Sequence, residues 1–389
     1  KVAFSHLSDD ELKNARNLFG LFKFKLLSNF GPKIVGLALR VKIPILGIVK
    51  RTMFTHFCGG ETVGDCKNLI TDYGLAGVGA ILDYSVEGGQ SETAFDETLA
   101  EILKVVDEAS INPYIPFSVF KVTGICAFDI LHKTQKQAPL SQKENQQWER
   151  AKIRFEKICA FAAEKRVRIF IDAEESWIQN PIDAMAEEMM AKYNKGEAIV
   201  FNTVQLYRSD RLSYVTNLYQ KAEKEQFSLG LKLVRGAYME KERDRALKNN
   251  YHSPIHKNKK AVDKDFDLCV EFCLSRIEKI SICVATHNEY SVEKLVAIMK
   301  TKDICNNDSR VWCAQLLGMS DHISYNAARK GFNVAKYVPY GPVKDVLPYL
   351  IRRAKENTSI SGQMGRELSN IINEKKRRNK YLKSQIPLS

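Results

Sequence analysis

The runs VRIFIDAE (167–174), AIVFNTVQLY (198–207) and LGLKLVRGAY (229–238) decide the fold. Each is β-branched and apolar over five to seven positions, then ends in charged or polar residues. A stretch that short and that continuously apolar reads as a strand buried on both faces, not as an amphipathic helix. Five more runs have the same character: AGVGAILDYSV (76–86), INPYIPFSVF (111–120), ISICVATHN (280–288), RVWCAQLLG (310–318) and FNVAKYVPYG (332–341). Helical stretches lie between them, at Glu97–Ala109, Asn145–Lys165, Asp210–Glu225 and Asp263–Glu278, and Val343–Glu356 follows the eighth. Eight buried strands, each followed by a helix, is the count of a (βα)8 barrel. A doubly wound sheet is the alternative, and would place a glycine-rich phosphate turn after its first strand. Gly77-Val78-Gly79 begins one, but no third glycine completes it.

Working outward, residues 1–65 read as a helical arm, with Ser8 and Glu11 placed as a capping box. Residues 66–374 form the barrel and 375–389 a basic tail. Thr123–Leu140 and Met239–Ala261 read as the longest irregular pieces. Both follow strands, on the face where barrels carry their chemistry.

The 389 residues carry a formal net charge of +13. Residues 1–51 hold ten basic and three acidic side chains, and residues 375–389 hold six basic and none acidic. Residues 52–374 therefore balance, with 43 charges of each sign. A nucleic-acid groove would put its cations on the folded core, so nucleic acid is not expected as a partner. The basic ends suit solvated tails or attraction to an anionic membrane surface. The apolar run Ile43–Val49 is far short of the roughly 18–20 residues that span a bilayer, and no secretory signal is recognised. Nine cysteines, an odd number without a C-x-x-C pair, read as free thiols in a reducing, intracellular compartment.

Polar residues at the C-terminal ends of barrel strands converge on one pocket. Here those ends supply Asp83 and Glu87, Lys121, Asp172 with Glu174, Gln205, Lys232 with Arg235, Thr286-His287-Asn288, Gln315 and Tyr337; Arg352 and Arg353 follow on the last helix. Any one of these could be a structural hydrogen bond, but all eight ends carry one. Lys121, Lys232, Arg235, Arg352 and Arg353 would together attract a phosphate or a carboxylate. Arg352 and Glu356 could equally be an ordinary i, i+4 helix pair. No metal is expected, because His287 lacks a partner at i+2 or i+4 and the other six histidines are scattered. A Schiff-base lyase with Lys232 or Lys121 as the amine stays open at this point.

The motifs Lys232-Leu-Val-Arg-Gly-Ala-Tyr238, Ala285-Thr-His-Asn288, Gln315-Leu-Leu-Gly-Met319, Tyr337-Val-Pro-Tyr-Gly341 and Tyr349-Leu-Ile-Arg-Arg-Ala-Lys-Glu-Asn357, with Ile171-Asp-Ala-Glu-Glu175 and Phe117-Ser-Val-Phe-Lys121, resemble the proline dehydrogenase family. The resemblance runs from about residue 52 to 366 and is nearest to the stand-alone bacterial and mitochondrial type. It implies a distorted (βα)8 barrel that holds FAD noncovalently and oxidises L-proline, with electrons passing to a membrane quinone. By motif, Lys121, Arg352 and Arg353 would clamp the proline carboxylate, and Tyr337 and Leu316 would line its ring. Asp172 would be the acidic catalytic residue and Lys232 would stand beside the reactive flavin nitrogen. Ala173, Gln205, Arg235, Gly236, Ala237, Thr286 and His287 would hold FAD, and Glu87 would latch onto Arg352 as a gate. Many bacterial members carry Arg at the position of Lys232 and Lys at that of Arg235. The first exchange keeps the charge but loses the guanidinium fork. The expected location is the cytoplasm, peripheral on the inner membrane face, or the mitochondrial matrix in a eukaryote.

Overall fold

The computed structural model describes Asp9, Leu12, Lys13, Arg16, residues 53–86, 91–350, Arg352, Arg353 and 363–384, the last stretch with the side chains of 368–379. Eight parallel strands close a barrel in sequence order: β1 (Gly79–Tyr84), β2 (Phe117–Lys121), β3 (Arg168–Asp172), β4 (Val200–Gln205), β5 (Leu229–Val234), β6 (Ile280–Ala285), β7 (Val311–Leu316) and β8 (Val334–Tyr340). β8 closes on β1 over six register pairs, Gly79↔Ala335 to Tyr84↔Tyr340. The expected (βα)8 architecture is the one observed. Two-sided burial is complete on β4 and β8.

Alternate residues fill the lumen. Phe117 and Phe170 stack at 4.3 Å between ring centroids, and Phe201 stands edge-on to both at 5.5 Å. With Ile81, Val119, Cys283, Ala314 and Ala335 these rings close the barrel floor. A fully buried phenylalanine contributes on the order of 2–3 kcal/mol, so the floor is a rigid plug. The polar layer above it, at the strand ends, opens to the mouth.

Helices cover the outside: α1 (Lys67–Leu75), α2 (Glu92–Ile111), α3 (Phe128–Gln135), α4 (Gln142–Glu164), α5 (Ser176–Tyr193), α6 (Arg211–Glu225), α7 (Met239–Lys248), α8 (Lys259–Leu274), α9 (Glu289–Thr301), α10 (Asp321–Arg329) and α11 (Gln363–Ser384). A capping box starts α4, where Ser141 Oγ accepts from the Glu144 N–H and Glu144 accepts from the Ser141 N–H. The capping box expected at Ser8 and Glu11 lies outside the described residues.

Three expectations change. The segments 123–140 and 239–261 are not wholly irregular, because α3 and α7 occupy parts of both. At eight and ten residues they are too short and too charged to show a helical period. The run at 111–120 becomes strand only from Phe117, after Pro113 and Pro116, which offer no N–H to a ladder. The helix after β8 begins at Leu347, not at Val343, after a turn through residues 343–345. α11 runs through position 374, where the sequence reading divides barrel from tail. Behind β8, a separate apolar cluster joins Phe54, Phe57, Met319, Leu347, Leu350, Leu368 and Ile371.

Candidate active site

β2 and β3 set Lys121 opposite Asp172 in register. Odd-numbered β2 residues and even-numbered β3 residues face the lumen, so both side chains point over the aromatic floor. Lys121 Nζ lies 3.4 Å from Asp83 Oδ1 and 3.8 Å from Asp172 Oδ2. Ser85 Oγ donates to Asp83 Oδ2 at 2.7 Å. From β5, Lys232 donates to Asp172 and, at 2.5 Å, to the phenol oxygen of Tyr337. Lys232 is 4% exposed, and its ammonium lies over the Tyr337 and Phe170 rings at 4.7 and 5.1 Å. Such cation–π contacts add roughly 0.5–2 kcal/mol, more where water is excluded. Burial and the Asp172 carboxylate push the Tyr337 phenol well above its ordinary pKa, so it stays a neutral donor–acceptor. Leu316 is the register partner of Tyr337 and packs with the lumen cluster.

The expected cations therefore divide. Asp83 and Asp172 balance Lys121 and Lys232 within one mouth cluster. Arg353, buried over the Tyr349 ring at 5.2 Å, and half-buried Arg352 lie on the helix that follows β8. Arg235 belongs to another group. Its Nε donates to Asp263 at 2.9 Å, Nη1 to Thr286 Oγ1 at 2.9 Å and Nη2 to Ser291 Oγ at 2.9 Å. The Phe266 ring lies 4.3 Å below it. Glu87 lies outside the described residues.

The other expected residues form the rim. Gln205 donates to the Glu174 carbonyl at 2.6 Å, bracing the chain just after half-buried Ala173. Glu174 accepts from the Thr123 N–H at 2.8 Å and from Thr123 Oγ1 at 2.6 Å, tying β3 to β2. Burial raises its carboxyl to about 7, against the pull of those two donors. His287 Nδ1 meets Ser320 Oγ at 3.0 Å. Burial, then the charges of Lys336 and Arg353, lower its pKa to about 3, so the imidazole is neutral near pH 7. Gly236 sits at φ +133°, and a Cβ there would fall 2.6 Å from the Tyr207 ring.

These residues fit an FAD-like group. Gly236 and Ala237 are exposed and almost free of side chain, so bare backbone crosses the rim. Arg235 is fixed by three partners, with Nη2 shared between Ser291 and Asp263, yet Nη1 carries a second N–H that can face a phosphate. Half-buried Ala173, next to Asp172, brings only a methyl group to the rim. The sequence reading did not single out Asp263, Ser291, Ser320 or Lys336. Lys336 carried a usable signal: a lysine inside the doubly buried run 332–341 must find partners within the protein.

A closed barrel with an aromatic floor, a paired-charge mouth and an arginine-bearing lip is a (βα)8 enzyme. The chain belongs to the proline dehydrogenase family, whose model, described as "Proline dehydrogenase", matches residues 66–366. It is 32% identical over 381 residues to proline dehydrogenase 1, mitochondrial, of Arabidopsis thaliana, covering 86% of this chain and 76% of that one. It is also 32% identical over 311 residues, 80% of each chain, to the carbapenem antibiotics biosynthesis protein CarD of Pectobacterium carotovorum. Among solved structures, proline utilization A from Bdellovibrio bacteriovorus superposes with a TM-score of 0.72 over 92% of this chain, at 18% identity. That likeness speaks for the fold, and this chain spans 38% of that protein's length.

Proposed function

We propose that the protein oxidises L-proline to 1-pyrroline-5-carboxylate with noncovalently bound FAD and passes the electrons to a quinone. The observation that carries this reading is the mouth cluster of Lys121, Asp172, Lys232 and Tyr337, in a chain of this family that also carries Arg352 and Arg353 on the helix after β8. FAD, when bound, supplies the hydride acceptor for the carbon next to the ring nitrogen. The chain supplies the rest. Lys121, Arg352 and Arg353 bind the substrate carboxylate, which fixes the ring's orientation. Tyr337 and Leu316 pack against the pyrrolidine and exclude water. Lys232, held by Asp172 and Tyr337, places positive charge where negative charge grows during the reaction. Ala173, Gln205, Arg235, Gly236, Ala237, Thr286 and His287 hold the cofactor, and the gate role goes to Glu87.

A Schiff-base lyase would need Lys232 or Lys121 as a free amine, whereas Lys232 donates to Asp172 and Tyr337 and Lys121 lies between two carboxylates. That supports the dehydrogenase reading over the lyase. A quinone acceptor goes with a peripheral membrane location, in cytoplasm or matrix, through the basic ends. Among the described residues no helix is long and apolar enough to cross a membrane.

The deciding experiment is the visible spectrum of the purified protein before and after anaerobic L-proline. Flavin bands near about 370 and 450 nm that bleach on proline are expected for a hydride-accepting flavin. A yellow protein that ignores proline would shift the substrate to another cyclic amine. A colourless protein that stays inert with added FAD would overturn the reading.

A further inference from the structure

Lys336 projects from the face of β8 opposite Tyr337. It is completely buried, with 0% exposure, between β8, the end of β7 and α10. An unpaired ammonium in such a place is strongly destabilising. Three oxygens meet it: Leu316 O at 3.3 Å, Met319 O at 2.5 Å and Asp321 Oδ1 at 2.6 Å. All three lie in the six-residue turn, 316–321, that joins β7 to α10.

That turn is not a low-energy conformation by itself. Gly318 has φ +75° and Ser320 has φ +55°. The second is a left-handed non-glycine residue, a strained backbone conformation. The lysine compensates by collecting the carbonyls that the turn directs inward. The two ends of the turn both reach the site. Leu316 lies beside Tyr337 at the mouth, and Ser320 Oγ anchors His287 Nδ1 at 3.0 Å. On the far side, His56 Nε2 meets Gly318 O at 3.1 Å, so the middle of the turn is held as well.

We propose that Lys336 is a positioning residue for the reaction: by gathering Leu316 O, Met319 O and Asp321 it sets the β7–α10 turn, and through it the ring-facing Leu316 and the Ser320-anchored His287. It touches neither substrate nor cofactor. The neutral state of His287, to which the nearby Lys336 charge contributes, agrees with this arrangement. The inference rests on the reading of this mouth as a proline and FAD site.

The test compares wild type with Lys336→Met and with Lys336→Met/Asp321→Asn, in which no carboxylate is left without its partner. Three quantities are read: FAD retained through gel filtration, the visible band contour of the bound flavin, and KM against kcat for L-proline. Loss of a positioning group should raise KM about tenfold, with kcat within about threefold, because ring packing is disturbed more than the chemistry. The band contour should shift and FAD retention should fall as His287 loses its anchor. A variant that melts earlier but keeps KM, contour and retention would overturn the proposal and leave Lys336 as a core staple. Should both lysine variants fail to fold, Asp321→Asn and Ser320→Ala decide. The first should raise KM and the second should weaken FAD retention, and wild-type values for both would overturn it. Failure of the wild type to bleach with proline would instead defeat the functional reading, with FAD retention still testing the turn.

Discussion

Lys121 and Asp172 are register partners on β2 and β3, with their charges 3.8 Å apart, and Asp172 is also the partner of buried Lys232. One carboxylate thus organises two lysines from strands on either side of it. Asp83 shares Lys121 with it, at 3.4 Å, and Tyr337 shares Lys232, at 2.5 Å.

Asp172→Asn therefore leaves Lys232 buried without a full counter-charge. Breaking a buried pair from one side costs about 3–5 kcal/mol; with the mouth partly open, the lower figure is expected, read by urea denaturation. Turnover should fall roughly a hundredfold as Lys232 and Lys121 shift from their positions. Wild-type kinetics in a folded Asp172→Asn protein would take Asp172 out of the site.

Tyr337 has two roles that substitutions can separate. Tyr337→Phe keeps the ring and removes the acceptor for Lys232, a charged hydrogen bond of about 1.5–3 kcal/mol. Proline kcat/KM should fall by about tenfold or more on that basis. Tyr337→Ser opens space beside the ring and should move the preference from proline towards 4-hydroxyproline. Equal efficiency of the wild type on both substrates would show that Tyr337 does not set this choice.

Two buried groups pull the pH dependence of stability in opposite directions. Glu174 has a folded value of about 7, above its ordinary 4.5. Its contribution is full below pH 4.5 and is lost as pH rises through 7. His287 has a folded value of about 3, below its ordinary 6.5. Its contribution is full above pH 6.5 and is lost as pH falls towards 3. Glu174→Gln cannot ionise, so its melting temperature relative to wild type should climb between pH 4.5 and 7. A constant difference across that window would refute the assignment.

Gly236→Ala tests the rim. The positive φ and the Tyr207 ring 2.6 Å from the added Cβ leave the new methyl no room. Backbone strain of this kind costs about 1–3 kcal/mol, paid locally in a loop that is partly exposed. The protein should stay folded by circular dichroism yet lose bound FAD, seen as a lower ratio of visible to 280 nm absorbance. Full flavin content would show that the rim does not touch the cofactor.

The sequence by itself determined the eight strands, their order and the polar character of their ends. Continuous β-branched runs such as Val200–Gln205 record burial on both faces locally, within six residues. Parallel neighbours then follow from the helices between them. α3 and α7 escaped that reading because each buries only two residues, Ile130 with Leu131 and Glu242 with Ala246. Tertiary structure alone decided which strand-end groups meet. Lys232 joins Asp172 and Tyr337 across 60 and 105 residues of chain, while Arg235, three positions on, turns to Asp263 and Thr286 instead. Lys336 and Tyr337 are adjacent in sequence, yet one pins a turn outside the barrel and the other faces the mouth. Strand pleat and barrel register set those directions, and both depend on pairing between distant segments.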